Sequence, residues 1–343
     1  MSNFEKINEM DKNDSVPIND YYIEKINLKD FEIGEIISRC NYGYISLCTK
    51  IKTKKQFGLK VLKKAKILDN KFIDRFYNEY KNLSIIYHPF IIELKGINYT
   101  DPYNLYYLYE FLPAGPLKVY IKLNKKLSLE QSKFYLACII TTLDYIHKKN
   151  IIHRDLRPEN ILINNNGYIK LSEFTFSKKL NNNLTYSICG SPEYYSPEMV
   201  NKSGYNKSID FWQLGILLYE MLTGKTPFYD SDPVIIYKKI IKRTIYFQDG
   251  FNKNAKLIIK QFLIIDMNKR LGCTKNGIYE IIKHPFFKDF DWEKLLLRKL
   301  EPPFVPNFRR FSDIVHFRKL EDSISDQDNK SIPKEIDPFL NWN

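Results

Sequence analysis

Ile151-Ile152-His153-Arg154-Asp155-Leu156-Arg157-Pro158-Glu159-Asn160, with Glu173-Phe174-Thr175 further along, decides the fold of this chain. The first segment has the form H-R-D-L-x-x-x-N, in which the Asp orients a hydroxyl acceptor and the Asn holds a metal ion during phosphoryl transfer. Those residues are Asp155 and Asn160, five positions apart on a tight loop between the apolar, strand-like runs Ile151-Ile152 and Ile161-Leu162-Ile163. The plain alternative is a turn at the end of a helix in which Arg and Asp merely pair. A match of this length between two apolar runs argues against it.

Upstream, Phe57-Gly58-Leu59-Lys60-Val61 reads as a strand carrying one lysine, and Glu79 follows Lys60 by nineteen residues inside a helical stretch from Phe72 to Leu83. Phe72, Phe76, Tyr80 and Leu83 recur at helical spacing, so one face is apolar and Glu79 lies beside that stripe, able to turn toward Lys60. A long amphipathic pattern from Leu129 to Lys149 leads into the loop, and Phe211 to Leu222 reads as a buried helix around Glu220. Downstream stand Ser196-Pro197-Glu198, Asp210-Phe211-Trp212 and Arg270.

In kind and order these segments resemble the protein kinases, from about Phe31 to the last residues. Within that family the chain is most similar to the AGC group and its cyclic-AMP-dependent catalytic subunits. Thr185-Tyr186-Ser187-Ile188-Cys189-Gly190-Ser191-Pro192-Glu193-Tyr194 resembles their activation segment. Glu301-Pro302-Pro303-Phe304-Val305-Pro306 resembles the start of their C-terminal tail, and Phe339-Leu340-Asn341-Trp342 its closing aromatic motif.

The resemblance implies an α+β, bilobal protein-kinase fold. An N-terminal extension (1–30), a helix or flexible segment outside the core, would precede a small nucleotide lobe (31–111) with an antiparallel sheet and one main helix. A larger helical lobe (112–290) and an AGC-type tail (291–343) would follow, with the tail's aromatics plugging a pocket on the small lobe. It implies ATP and Mg²⁺, or Mn²⁺, as cofactors. Asp155, Arg157, Lys60 and Glu79 would be catalytic, with Glu79 the ion-pair partner of Lys60. Asn160 and Glu173 would hold metal. Ser38, Cys40, Gly43, Ile45, Gly58, Tyr109, Glu110, Leu112, Leu162 and Ser172 would join Lys60, Asn160 and Glu173 around the nucleotide, and Phe311 would close over adenine. Ser187 would be the activating phosphosite, received by Arg75, Arg154 and Lys178. Glu159, Glu220, Gly190 and Pro192 would face the protein substrate, the two glutamates reading basic residues near the acceptor Ser or Thr. Asp210 would buttress the catalytic loop, and Glu198 would pair with Arg270. Tyr186 and Tyr237 match aromatics on which a cyclic-AMP-binding regulatory subunit docks, which makes such a subunit an expected partner.

The chain also departs from the pattern. The glycine-rich loop reads Ser38-Arg39-Cys40-Asn41-Tyr42-Gly43-Tyr44-Ile45, with only Gly43 of three glycines left. Glycine lets backbone amides approach phosphate, and each such bond lost costs about 1.5–3 kcal/mol. Glu173 stands where Asp is usual, its carboxylate one methylene further out, and Mg²⁺ demands near-ideal octahedral geometry. A misplacement of about 1 Å can cost 10²-fold in rate. Thr175 replaces a glycine, and Arg157 a lysine that is not its equivalent. Pro116 stands where the resemblance to the cyclic-AMP-dependent members implies a glutamate that contacts the ribose and a basic substrate residue. Tyr109 matches the bulky position behind the adenine pocket and would close that rear pocket to large inhibitors. Two readings follow: a Ser/Thr protein kinase of reduced activity, or a pseudokinase that acts as a scaffold or regulatory-subunit binder. Retention of Lys60, Glu79, Asp155 and Asn160 favours the enzyme.

Composition bounds the remaining classes. The chain has 343 residues and a formal net charge of +13. Lys and Asn are spread along its whole length, with asparagine runs at 164–166 and 181–183, so the charge is compositional and no nucleic-acid partner is expected. Five scattered cysteines without a C-x-x-C pair fit a reducing compartment. The sequence shows no apolar run of membrane-spanning length, and Ser2 stands where myristoylation needs glycine. A soluble, cytoplasmic protein is the expectation. The stretch from Glu321 to Lys330 is strongly polar and expected to be mobile.

Overall fold

A computed structural model describes residues 23–69, 72–181, 184–306 and 331–342. They divide into two compact units, one made of Pro116–Pro306 and the other of the described residues within 16–115 and 307–343.

The second unit is built on a six-stranded sheet. Its strands are β1 (Glu24–Lys25), β2 (Phe31–Cys40), β3 (Gly43–Lys50), β4 (Gln56–Lys63), β5 (Leu94–Asn98) and β6 (Asn104–Glu110), in the order β1-β5-β6-β4-β3-β2. Helices α1 (Lys64–Asp69) and α2 (Ile73–Ile85) follow β4. Alternation along β4 turns Phe57, Leu59 and Val61 into a cluster with Ile26, Phe31, Cys48, Tyr106 and Leu108. Lys60 therefore projects from the opposite face.

Strand β1 corrects the reading of residues 1–30 as an extension outside the core at residues 24–26; residues 1–22 lie outside the described residues. Glu24 and Lys25 pair in parallel with Gly96 and Ile97, and Ile26 joins the core cluster. Gly96 makes room: a Cβ there would lie 2.3 Å from Ile26 Cγ2 and 2.9 Å from the Glu24 carbonyl oxygen. The other five strands pair antiparallel.

Residues 331–342 belong to the same unit. Phe339 and Trp342 are buried, and Trp342 lies 5.2 Å from the Tyr77 ring and stacks on Tyr80, planes 7° apart, along α2. Lys64 Nζ meets Asp337 Oδ2 at 2.5 Å and the Tyr99 carbonyl at 2.6 Å, while Asp337 Oδ1 accepts from the Phe339 amide. Chain ends ordinarily fray; two buried aromatics and a buried ion pair hold this one down. Phe311 and the stretch from Glu321 to Lys330 lie outside the described residues.

The first unit is mostly helical. In chain order it contains α3 (Leu117–Asn124), α4 (Leu129–Lys148), β7 (Ile151–Ile152), β8 (Ile161–Ile163), β9 (Ile169–Leu171), β10 (Lys178–Lys179) and α5 (Pro197–Val200). Then come α6 (Ser208–Thr223), α7 (Pro233–Lys242), α8 (Lys253–Phe262), α9 (Ile278–Ile282) and α10 (Trp292–Leu296). Helix α4 starts at a capping box in which Ser128 and Gln131 satisfy each other's backbone amides. Helix α6 is buried over nearly its whole length and stops at Gly224, whose φ of 80° is cheap only for glycine. Beneath α6, Arg270 and Glu198 form a two-pronged pair at 2.7 and 3.0 Å, and Arg270 also donates to the Ser208 carbonyl. The elements are those of an α+β kinase fold.

Because Arg270 and Glu198 are both buried, removing one leaves the other charge uncompensated. Glu198→Ala is expected to lower unfolding free energy by about 3–5 kcal/mol, read from urea denaturation followed by far-UV circular dichroism.

Candidate active site

The loop carrying Asp155 is fastened by two side chains of α6. Asp210 accepts from the His153 amide at 3.0 Å and the Arg154 amide at 2.8 Å, and His147 Nε2 meets its Oδ2 at 2.7 Å. Burial alone would raise the Asp210 pKa; the His147 hydrogen bond and charge, with further donors, hold it below the usual carboxylate value. One helical turn on, Gln213 accepts from the Leu156 amide at 3.0 Å and donates to the Arg154 carbonyl at 2.9 Å. Arg154 is thereby held in the left-handed region, at φ 72°. His153 is buried and its pKa is pushed down by desolvation, so it is neutral. Its Nε2 donates to the Ser172 carbonyl at 2.9 Å and its Nδ1 accepts from the Asp155 amide at 3.3 Å, which fixes the tautomer.

Asp155 is buried, with Oδ2 accepting from Asn160 Nδ2 at 2.7 Å and Oδ1 lacking a partner among the described residues. Burial raises its pKa against the opposing pull of Arg157, His153 and Asn160. The Asn160 amide nitrogen also bonds the Asp155 carbonyl at 2.8 Å, so both bonds use the nitrogen and neither uses the amide oxygen. Ser172 backs this arrangement, donating from both N and Oγ to the Asn160 carbonyl at 2.8 and 2.9 Å. Glu173 adopts φ 56° and ψ 64°, a conformation that costs a side-chain-bearing residue roughly 1–2 kcal/mol. Thr175 Oγ1 donates to its carboxylate at 3.3 Å, and Phe174 packs its ring edge-on against His153. Amide and carboxylate oxygens are the donors Mg²⁺ and Mn²⁺ take, so the residue types fit such an ion.

In the other unit, Lys60 Nζ contacts Glu79 Oε1 at 3.0 Å and Oε2 at 3.3 Å, with both residues buried. Tyr109 adds a third member: its hydroxyl donates to Glu79 Oε1 at 2.9 Å. Strands β2 and β3 meet in a two-residue turn at Asn41-Tyr42, with Cys40 opposite Gly43 and Ser38 opposite Ile45. Tyr42 at the tip packs edge-on against Phe72 and Phe76 of the α2 region, at 5.8 and 5.4 Å. Ser38 and Cys40 are exposed. Gly43 survives for a steric reason, since a Cβ there would lie 1.9 Å from the Val61 carbonyl oxygen. Gly58 lies on β4 opposite Leu47, Leu112 is buried, and Glu110 accepts from the Glu93 amide at 2.8 Å.

Around Ser187, Arg154 Nη1 donates to its hydroxyl at 2.7 Å, and Lys178 Nζ reaches Thr185 Oγ1 at 3.0 Å, itself 3.4 Å from Ser187 Oγ. Arg75 belongs to the other unit and stacks on the Phe72 ring at 3.7 Å. Gly190 has φ 89°, and a Cβ on it would stand 3.0 Å from Asp155 Oδ1. Pro192 opens a 3₁₀ turn ending at Tyr194. Leu162 bridges to Pro116. Glu159 and Glu220 come together through Lys118, whose Nζ is 3.5 Å from one and 2.6 Å from the other. The loop-fastening role of Gln213, the Tyr109 hydroxyl, the Tyr42 anchor and Lys118 were all missed from sequence. The available signals were Gln213 three residues after Asp210 on one helix, and Lys118 two residues after the anomalous Pro116.

Residues 31–287 match the family described as protein kinase domain. Over 312 residues the chain is 36% identical to the cAMP-dependent protein kinase catalytic subunit of Dictyostelium discoideum, covering 91% of this chain and 48% of that protein. It is 36% identical over 317 residues to the cAMP-dependent protein kinase catalytic subunit PRKX of Mus musculus, covering 92% and 88%. It is 38% identical over 294 residues to the serine/threonine-protein kinase YPK2/YKR2 of Saccharomyces cerevisiae, covering 85% and 43%. The chain spans about half the length of several curated relatives it matches, the Dictyostelium and Drosophila melanogaster proteins among them. This chain belongs to the protein kinase family, as a divergent member of AGC type.

The two hairpin glycines differ in what they tolerate. A Cβ on Gly58 would meet only Ile45 Cγ2, at an ordinary 3.8 Å, so Gly58→Ala is expected to stabilise by about 0.4–1 kcal/mol through the unfolded chain's lost entropy. Gly43→Ala is expected to destabilise by about 1–3 kcal/mol through overpacking. Thermal melting of both variants beside the parent distinguishes the two signs.

Proposed function

We propose that the chain is a serine/threonine protein kinase that transfers the γ-phosphate of ATP to protein hydroxyls. The observation that carries this is Asp155: a buried carboxylate, pinned through one oxygen by Asn160 and with the other lacking a partner among the described residues. That free oxygen suits a hydroxyl that must be oriented and relieved of its proton. Bound ATP supplies the phosphoryl group, and Mg²⁺ or Mn²⁺ would neutralise its phosphates. Asn160 and Glu173 would hold the metal, and Lys60, fixed by Glu79 and Tyr109, would hold the α- and β-phosphates. Arg157, carrying its cation three-tenths exposed beside Asp155, would steady the transferring group. Ser38, Cys40, Gly43, Ile45, Gly58, Tyr109, Glu110, Leu112, Leu162 and Ser172 would complete the nucleotide surroundings.

Three finer assignments go with this reading. Ser187 would be an activating phosphosite, since Arg154 already touches its hydroxyl and Lys178 is one hydroxyl away, with Arg75 the third expected cation. Protein substrates would present basic residues to Glu159 and Glu220, to a degree set by the partners those carboxylates already have, with Gly190 and Pro192 beside the acceptor. A cyclic-AMP-binding regulatory subunit would dock through exposed Tyr186 and through Tyr237, which stacks on Tyr195. No helix among the described residues is long and apolar enough to cross a membrane, in keeping with a cytoplasmic site of action. The pseudokinase alternative draws on one observation: Tyr42 ties the tip of the hairpin down onto Phe72 and Phe76.

Transfer of labelled phosphate to a serine-containing protein or peptide, in Mg²⁺ and in Mn²⁺, tests the proposal. Activity that disappears in Asp155→Asn is the expected result; equal signal from parent and variant in both metals sinks it. The acid limb adds a second check. Activity needs the ionised carboxylate, whose pKa is raised above the ordinary 3.8, so rate is lost as pH falls through a value above the usual aspartate range. Arg157→Gln removes the charge that lowers this pKa most, and is expected to move that limb to higher pH.

A further inference from the structure

Lys118, on the first turn of α3, sits on the two carboxylates assigned to substrate reading. Its Nζ lies 2.6 Å from Glu220 Oε1 and 3.5 Å from Glu159 Oε1. The remaining oxygens are also taken from within the chain: Tyr194 donates its hydroxyl to Glu220 Oε2, and Arg157 Nε donates to Glu159 Oε2 at 2.9 Å. All four carboxylate oxygens therefore have internal partners, and two anions are offset by two cations. Glu220 has a side chain only 1% exposed, whereas that of Lys118 is 42% exposed. The lysine thus caps a buried carboxylate from the solvent side. Burial works against the lysine's charge, but the Glu220 hydrogen bond and the fields of Glu220 and Glu159 hold its pKa above the usual value. Arg157, which donates to Glu159, stands two residues after Asp155 on the same loop, so the network adjoins the proposed acceptor position.

We propose that Lys118 is a specificity-determining residue that occupies the place of a substrate's basic side chain, so that the chain selects only weakly for arginine near the acceptor and takes serines and threonines in neutral segments. The proposal rests on the kinase reading above and on Glu159 and Glu220 facing the peptide. A tethered cation competes at millimolar effective concentration with anything a dissociable peptide brings. An incoming guanidinium must displace it, and no surplus negative charge remains for it to meet. Pro116 has the same direction, being neutral where the resemblance would place a carboxylate. Without Lys118, buried Glu220 keeps only the neutral Tyr194 hydroxyl among these partners, and a substrate cation would then form a charge-assisted bond there.

Two peptides decide it: one with arginines two and three residues before a serine, and a twin with glutamines at those positions. Phosphate transfer gives kcat and KM; fluorescence anisotropy of labelled peptides gives Kd independently of turnover. In the parent chain the two peptides are expected to differ by less than about threefold in kcat/KM and in Kd. Lys118→Met is expected to raise the arginine preference at least about tenfold, or ~1.4 kcal/mol, mainly through KM and Kd with kcat little changed. Lys118→Arg, which keeps the cation, is expected to leave the arginine preference below about threefold. A parent that already prefers arginine tenfold, a preference that Lys118→Met leaves unmoved, or failure of either peptide to bind any variant overturns the proposal. Should no variant transfer phosphate while the Kd ratio moves as stated, the kinase reading fails and the specificity assignment stands.

Discussion

The buried carboxylate of Asp210 is the constraint on which the helical unit turns. It has no solvent exposure and accepts from two consecutive backbone amides, those of His153 and Arg154, while His147 supplies a third contact. A carboxylate is tolerated at such depth only when its oxygens are filled by donors, so the loop cannot leave without exposing an unsolvated charge. Gln213 adds the matching grip on Leu156 and Arg154 from the next turn of α6. Together they oblige Arg154 into a left-handed conformation, from which its guanidinium reaches the Phe176 carbonyl, the Tyr205 hydroxyl and Ser187. Asp155, next in the chain, inherits its position from the same clamp.

The sheet-rich unit uses the same principle twice. Lys60, Glu79 and Tyr109 form one buried polar group, and Lys64, Asp337 and the Tyr99 carbonyl form another. Each ties sequence-distant segments together, since a charge taken out of water must keep its partner. The second group explains why the C-terminal aromatics lie where they do: Lys64 both pairs with Asp337 and lies over the Phe339 ring.

The departures from the kinase pattern are of two physical kinds. Those at Ser38, Cys40 and Glu173 are steric: side chains stand where the pattern has glycine, and the Glu173 carboxylate sits one methylene further from its backbone. The one at Pro116 changes charge, putting a neutral residue where the resemblance would place a carboxylate. On the proposed kinase reading, the first kind would bear on rate and the second on substrate choice.

The sequence by itself determined the family, the element order and the spacing of the chemically distinctive residues. Asp155 and Asn160 lie on one short loop, where local geometry alone brings them together, and the Lys60–Glu79 and Arg270–Glu198 partnerships are those the family resemblance implies. Helix α2 also follows from periodicity, within two residues of its observed ends. What only the tertiary structure decided depends on direction and on absent bulk. Ile26 enters the core because Gly96 lacks a side chain. The Tyr109 hydroxyl reaches Glu79 because strand register places it there, and Lys118 neutralises Glu220 although 102 residues separate them. Pairings of that length leave no periodic trace in a chain, because they are set by how elements pack and not by how residues follow one another.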